Sequence, residues 1–266
     1  MKTQPISHSF FHAGGHTLAV WLGMAGAILN ARGTILLIDP LISTIDQDGK
    51  ISEEGSYPLR VPLPVEAKDV PRADAVLYTH ADNDHFGRLT ARILAEQTGC
   101  RFIAPPPVEQ ALREMGVPAQ RILPAKEGGR HRLGEAVVQV TPAAHGWQEV
   151  DPWRREDCCG FLIKTPDGTV WHPGDTVWID DLEAYKDVDV LFFDVAAVPY
   201  HLGPQGSARL AKSCGAKVMI AYHYGTFDLP PGSFANCDPD DALPYLKDLP
   251  GEYLKLNPGE TLKLPV

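Results

Sequence analysis

The stretch Leu77-Tyr78-Thr79-His80-Ala81-Asp82-Asn83-Asp84-His85 limits the fold more than any other part of the chain. An apolar run over 75–78 stops at a polar segment, the pattern of a buried strand that ends in a loop. The loop holds four side chains able to bind a metal ion, His80, Asp82, Asp84 and His85, within six positions. Neighbours on one face of a helix lie three or four residues apart, so His80, Asp82 and Asp84 cannot share a helical face. They converge only if the chain loops around a cation. Imidazole with carboxylate suits Zn, Mn or Fe, and carboxylates pull towards the harder ions. The competing reading is a solvated acidic loop.

Downstream, three isolated signals each follow an apolar segment: Ala143-Ala144-His145-Gly146, Gly174-Asp175-Thr176 and His223-Tyr224-Gly225-Thr226. Taken alone, His145 or His223 reads as a core histidine with its hydrogen bonds satisfied. In this order, after His80-x-Asp82-x-Asp84-His85, they resemble the metallo-β-lactamase superfamily. The likeness is closer to the branch holding the ascorbate-6-phosphate lactonase and the N-acyl-phosphatidylethanolamine phospholipase D. It rests on Trp21-Leu22-Gly23, Ile38-Asp39-Pro40, Gly174-Asp175-Thr176 and His223-Tyr224-Gly225-Thr226, and spans 18–227. One position departs: the family normally has His where this chain has Asp82.

The resemblance implies an αββα four-layer sandwich with ligands on loops at one edge of two packed sheets. It also implies two divalent metal ions. His80 and His145, with Asp82 in place of the usual His, match the ligands of the first. Asp84, His85 and His223 match those of the second, and Asp175 matches the bridging carboxylate. A water shared by two such ions becomes a hydroxide near neutral pH. The implied reaction is attack of that hydroxide on an ester, lactone, amide or phosphodiester of a small substrate, with Asp84 orienting it or taking its proton. Asp39 is placed beneath the metal loop, against a plain turn-capping role. Asp194 is placed behind a metal histidine. His201, in Pro199-Tyr200-His201-Leu202-Gly203, either faces the substrate or is a surface histidine. Asp82 either ligates, giving a core in which three carboxylates and a hydroxide cancel two divalent charges, or accepts a hydrogen bond from a ligand.

Composition narrows the function. A net charge of −10 and a pI of 5.4 argue against a nucleic-acid backbone as partner, though not against a small anionic substrate. The five cysteines form no C-x-x-C pair, which points to buried thiols in a reducing cytoplasm. The apolar run 18–29 is too short to span a bilayer, so no membrane anchor is expected. A length of 266 residues reads as one domain, 1–266, with self-association left open.

Apolar periodicity predicts strands over 6–12 and 17–22, then a hairpin of 25–29 and 34–38 across Asn30-Ala31-Arg32-Gly33. Asp39 precedes Pro40 and is expected to be extended. The stretch 43–68, with Pro58, Pro62 and Pro64, reads as a lid or a surface excursion. A helix over 86–97 with Leu89, Ile93 and Leu94 inward, a strand over 101–104 and a helix over 108–115 follow. Strands over 130–133, 136–141, 160–164, 169–172, 190–194 and 217–221 come next, with helices over 179–185, 205–213 and near 240–246. Trp147 and Trp153 read as pocket wall or ordinary packing, with Arg154 or Arg155 meeting an anionic substrate group. His12, His16 and His172 have the same two readings as His201, facing the substrate or lying on the surface, and His131 reads as surface.

Two other functions compete with hydrolysis. A carboxylate at position 82 is also found in flavodiiron oxygen reductases, which suggests a di-iron oxidoreductase, although the chain has no flavin fingerprint and no cysteine cluster for iron–sulfur. The other is a non-catalytic metal-dependent binding protein, against which the intact ligand set argues.

Overall fold

Strands β1 (Thr17–Gly23), β2 (Gly26–Ala31) and β3 (Thr34–Ile38) form an antiparallel meander in the computed structural model, which describes residues 1–43, 58–145 and 154–266. The turn between β2 and β3 has Arg32 and Gly33 both at positive φ, 50° and 109°, the geometry of a tight hairpin that follows strand twist. Strands β4 (Ala75–Leu77), β5 (Arg101–Ala104) and β6 (Ile122–Pro124) extend the sheet in parallel beyond β3. Helices α1 (Arg88–Thr98) and α2 (Pro106–Glu114) supply the crossovers. The far edge is closed by β14 (Thr261–Lys263), antiparallel to β1.

The second sheet mirrors this plan. Strands β7 (Arg130–Leu133), β8 (Ala136–Pro142), β9 (Cys159–Thr165) and β10 (Gly168–His172) run antiparallel. Strands β11 (Val190–Asp194), β12 (Val218–Tyr222) and β13 (Glu252–Leu254) continue in parallel, with α3 (Gly203–Cys214) crossing between β11 and β12. A short α4 (Leu243–Leu246) precedes β13. Each sheet therefore has seven strands, in the orders β14-β1-β2-β3-β4-β5-β6 and β13-β12-β11-β10-β9-β8-β7.

Side-chain alternation shows why four layers form. In β1, Ala19 and Trp21 face the core between the sheets, while Val20 and Leu22 face a second core on the outer side. Strands β3 and β4 split the same way: Leu36, Ile38, Ala75 and Leu77 lie inside, and Ile35, Leu37, Val76 and Tyr78 lie outside. A strand buried on both faces reads as a continuous apolar run, which 75–78 is. This is the α/β sandwich that the resemblance implied.

Several local expectations need correction. Residues 6–12 do not form a strand. His8–Phe11 is a 3₁₀ turn that puts the adjacent Phe10 and Phe11 into the same outer core, which strand alternation would prevent. Asp39 is not extended but has φ of +41°. On α1 the fully buried side chains are Thr90, Ala91 and Leu94, with Leu89 and Ile93 half-buried. Asp180–Ala184 is a 3₁₀ turn, and β6 has no counterpart among the predicted strands. Of the proposed lid, 44–57 lies outside the described residues. Its end is pinned down: Leu59 bridges to Phe227, and Ala67–Asp69 is a 3₁₀ turn. The five cysteines are free and buried.

Candidate metal centre

All the ligand-type residues sit where strands end. Thr79 leaves β4 with its N–H and its hydroxyl both donating to Asp39, at 2.7 and 2.6 Å. Asp39 can take both because its left-handed backbone turns the carboxylate under the loop. Its second oxygen also accepts from His85 Nδ1 at 2.9 Å. Burial alone would raise the Asp39 carboxyl; the hydrogen bond from His85 and the nearby His85, His172 and His80 together more than offset this and hold it low. The carbonyl of Asp82 then accepts from the N–H groups of His85 and Phe86 at 3.0 and 2.7 Å. This single turn wraps Asp82, Asp84 and His85 around one space.

The second sheet supplies the opposing half. His145 follows β8, Asp175 follows β10, Asp194 ends β11 and His223 follows β12 at φ +67°. Asp175 is delivered by Gly174, at φ +67°, where a Cβ would lie 2.5 Å from the Cys159 carbonyl; only glycine fits. Behind that turn, His172 is fully buried. Its Nε2 donates to the Ala25 carbonyl at 2.9 Å and its Nδ1 accepts from Gly174 N–H at 3.2 Å. Burial holds the His172 pKa down to about 4, so it stays neutral.

Backbone and carboxylate partners fix which nitrogen each histidine turns inward. The Thr79 hydroxyl is committed to Asp39, so His80 Nδ1–H donates to Thr79 at 2.9 Å. His145 Nδ1–H donates to the Tyr200 carbonyl at 3.2 Å. His223 and His201 donate from Nδ1 to opposite oxygens of Asp194, at 2.8 and 3.0 Å. With His85 on Asp39, all five rings present Nε2 to the same space. There His85 Nε2 lies 3.3 Å from His223 Nε2 and 3.0 Å from Asp175 Oδ2. His201 Nε2 lies 3.3 Å and His80 Nε2 3.9 Å from Asp175 Oδ2. Asp82 Oδ2 lies 3.1 Å from His145 Nε2 and 3.4 Å from His80 Nε2.

This arrangement calls for cations. Two imidazole lone pairs facing each other at 3.3 Å make no hydrogen bond, and the buried Asp175 Oδ1 accepts none. Nitrogen and carboxylate donors converging in this way fit divalent metals. Among the described residues, ligand atoms of His80, His145 and Asp175 lie within 4.8 Å of one another, as do those of Asp84, His85 and His223, and those of Asp175, Asp194, His201 and His223. Without metal, protons take that role. Burial opposes a charge on His85 and His201, yet the surrounding carboxylates together outweigh it, Asp175, Asp84 and Asp39 at His85 and Asp175, Asp194 and Asp84 at His201, holding His85 well above its ordinary range and His201 at about 9. Asp82 is held far below the carboxylate range because hydrogen bonds from His145 and His80 overcome its burial.

The structure thus brings His80, Asp82, Asp84, His85, His145, Asp175 and His223 together, with Asp39 and Asp194 behind them. His201 also lies at the centre, 3% exposed, rather than on the surface. Its only sequence signal was its place in the loop after β11. His12 and His16 are exposed, and His131 bonds the Pro124 carbonyl at 3.2 Å. Trp147 and Trp153 lie outside the described residues. Arg155 pairs with Glu127 and Asp181, and Arg154 is 72% exposed beside Asp157; neither lines the cleft above the centre. That cleft, of about 270 Å³, is bordered by Asp82, Asn83, Asp84, His145, Asp175, Tyr200, His201 and Phe234.

The sequence profile of the β-lactamase superfamily domain matches residues 34–224. The chain belongs to the metallo-β-lactamase superfamily. A metal-dependent hydrolase of Pyrobaculum arsenaticum is 30% identical over 225 residues, 83% of this chain and 88% of the relative. Igni18, a metallo hydrolase from Ignicoccus hospitalis, shares the fold with a TM-score of 0.69 at 18% identity, over 94% of this chain and 99% of that one. CmlA, a diiron β-hydroxylase from Streptomyces venezuelae, gives a TM-score of 0.71 at 16% identity, over 95% of this chain and 55% of that one. This member of the superfamily is a metal-dependent hydrolase. Among its described residues no helix is long and apolar enough to cross a membrane.

Proposed function

We propose that the chain hydrolyses an ester, lactone, amide or phosphodiester bond of a small molecule at a binuclear centre. The observation that carries this reading is the buried Asp175 carboxylate, with its unsatisfied Oδ1, facing Nε2 atoms from both sheets. His80, His145 and Asp82 would hold one cation, Asp84, His85 and His223 the other, and Asp175 both. Two such ions supply a water acidified to near-neutral pKa and a Lewis acid for the attacked oxygen. The remaining work falls to side chains. Asp84 borders the cleft and is 13% exposed, placed to orient the attacking water and accept its proton. Asp39 and Asp194 keep His85 and His223 in the ligating tautomer. Three carboxylates at the centre favour manganese or iron over zinc. The five free thiols support a reducing compartment, the cytoplasm.

A second reading, di-iron oxygen chemistry, has one observation in its favour: Asp82 places a carboxylate beside His80 and His145, on the fold that CmlA shares. The test is turnover of ester, lactone, amide and phosphodiester panels under anaerobic conditions without reductant, after metal analysis of protein purified without added metal. Hydrolysis under those conditions supports the proposal. Activity that needs oxygen and a reductase overturns it.

A further inference from the structure

The turn that delivers Asp175 is held by buried side chains outside the ligand set. Pro173 and Gly174 link the end of β10 to Asp175, with Gly174 at φ +67°. Both backbone polar groups of Gly174 are taken, by His172 and Tyr222, each 0% exposed. Its N–H donates to His172 Nδ1 at 3.2 Å, and its carbonyl accepts from the Tyr222 hydroxyl at 3.1 Å. His172 is thus not a surface residue; its ring lies 5.0 Å from the rings of both Phe192 and Tyr222. Its far nitrogen reaches the other sheet, where Nε2 donates to the carbonyl of Ala25, between β1 and β2, at 2.9 Å. The neighbouring Met24 carbonyl accepts from the N–H of His223 at 3.2 Å. One turn of the first sheet therefore registers the two second-sheet loops that carry Asp175 and His223. An apolar side chain of equal size would fill the same space. It would lack what the neutral imidazole has, an acceptor and a donor on opposite edges of one rigid ring.

We infer that His172 is a positioning residue of the centre: through Gly174 it sets where Asp175 stands, and through Ala25 it sets that turn against the first sheet, so the shared carboxylate is in place before cations bind. The two bonds do different work. The Nδ1 contact, from a side chain to the N–H two residues on, has the pattern of an Asx turn, which asparagine makes readily. The Nε2 contact joins the sheets and contributes to stability. The inference rests on the reading of Asp175 as a carboxylate shared by two ions.

Two variants separate the bonds. His172→Asn keeps an acceptor for the Gly174 N–H but cannot reach Ala25, and it leaves space between Phe192 and Tyr222. His172→Gln carries an amide nitrogen to the place of imidazole Nε2 but leaves the Gly174 N–H without its acceptor. Chelated protein is titrated with manganese(II), electron paramagnetic resonance reports the spin-coupled pair of ions, and the melting temperature is measured beside it. His172→Asn should melt lower than His172→Gln yet still take two ions with the wild-type pair signal. His172→Gln should bind the second ion at least about tenfold more weakly, as when other supports of a metal ligand are lost, and show no pair signal. Metal binding and stability then rank the variants in opposite orders, which a purely structural role does not produce. A wild-type pair signal and affinity in His172→Gln would overturn the inference, as would metal binding that falls in step with melting temperature across the two variants. Failure of both to fold would also overturn it, since the role would then lie in folding alone; where only one folds, its own metal binding decides. A wild type that takes a single ion sinks the binuclear reading instead, and the inference then stands or falls on affinity for that ion in the same two variants. A wild type that binds neither manganese nor zinc overturns both.

Discussion

Asp194 holds two histidines with one carboxylate, so replacing it by Asn is a sharp perturbation at nearly constant shape. Oδ1 accepts from Ala196 N–H and from His223 Nδ1, both at 2.8 Å, and Oδ2 accepts from His201 Nδ1 at 3.0 Å. An amide accepts through one oxygen only. The contacts to Ala196 and His223 fix which side that oxygen takes, so the amide NH₂ faces His201. His201 must then give up its Nδ1 proton and carry it on Nε2, 3.3 Å from Asp175 Oδ2. His223 keeps its inward lone pair but loses an anionic partner. One hydrogen bond to a charged group is lost, worth roughly 1.5–3 kcal/mol, and the loss of such a supporting carboxylate typically lowers metal affinity by about 10–100-fold. The assay is metal affinity by competition with a chromophoric chelator, beside kcat/KM and circular dichroism. Asp194→Asn should fold, bind metal about 10–100-fold more weakly and lose activity in step; Asp194→Ala, which strands both histidines, should be worse. Wild-type metal affinity in a folded Asp194→Asn would refute the tautomer argument.

Other perturbations probe the same centre. Asp175→Ala should abolish both activity and binuclear occupancy, measured by metal stoichiometry, because one carboxylate faces both halves. Asp82→His adds one positive charge; it should shift preference towards zinc and move the rise of kcat/KM to lower pH by about one unit, read from pH–rate profiles and metal titrations. Chelated protein should lose stability as pH rises. The folded-state pKa of His201 is raised to about 9 against about 6.5 unfolded, so its contribution is full below about pH 6.5 and disappears through about pH 9, worth roughly 3 kcal/mol. Thermal melts across that range should show the decline for the chelated form and a smaller one for the metal-loaded form.

The strand-and-loop pattern around His80 was legible because a strand buried on both faces is an unbroken apolar run, and the change of composition at Thr79 is abrupt. The hairpin at Arg32-Gly33 was legible because its turn demands positive φ. Phe10 and Phe11 misled because their apolar character reports burial, whereas the backbone conformation is set by Asn30 Nδ2, which donates to the carbonyls of Phe10 and His12. Asp39 misled in another way. The preference of a residue before proline for extended backbone is weak beside three buried hydrogen bonds to its carboxylate. His201 could not be ranked because its role depends on a shared partner, Asp194, and on a meeting with Asp175 that only the packing of β10 against β11 creates.

The ligands are drawn from both sheets: His80 to His85 follow β4, while His145, Asp175 and His223 follow β8, β10 and β12. On the proposed reading, ions held between them would act as a latch across the sandwich, closing contacts far apart along the chain. Opening the sheets would then release the ions, so their binding would stabilise the folded state and slow its unfolding. Loss of metal should therefore register chiefly as a faster unfolding rate and shorter survival against proteases. Secondary structure, carried by the two apolar cores, should persist.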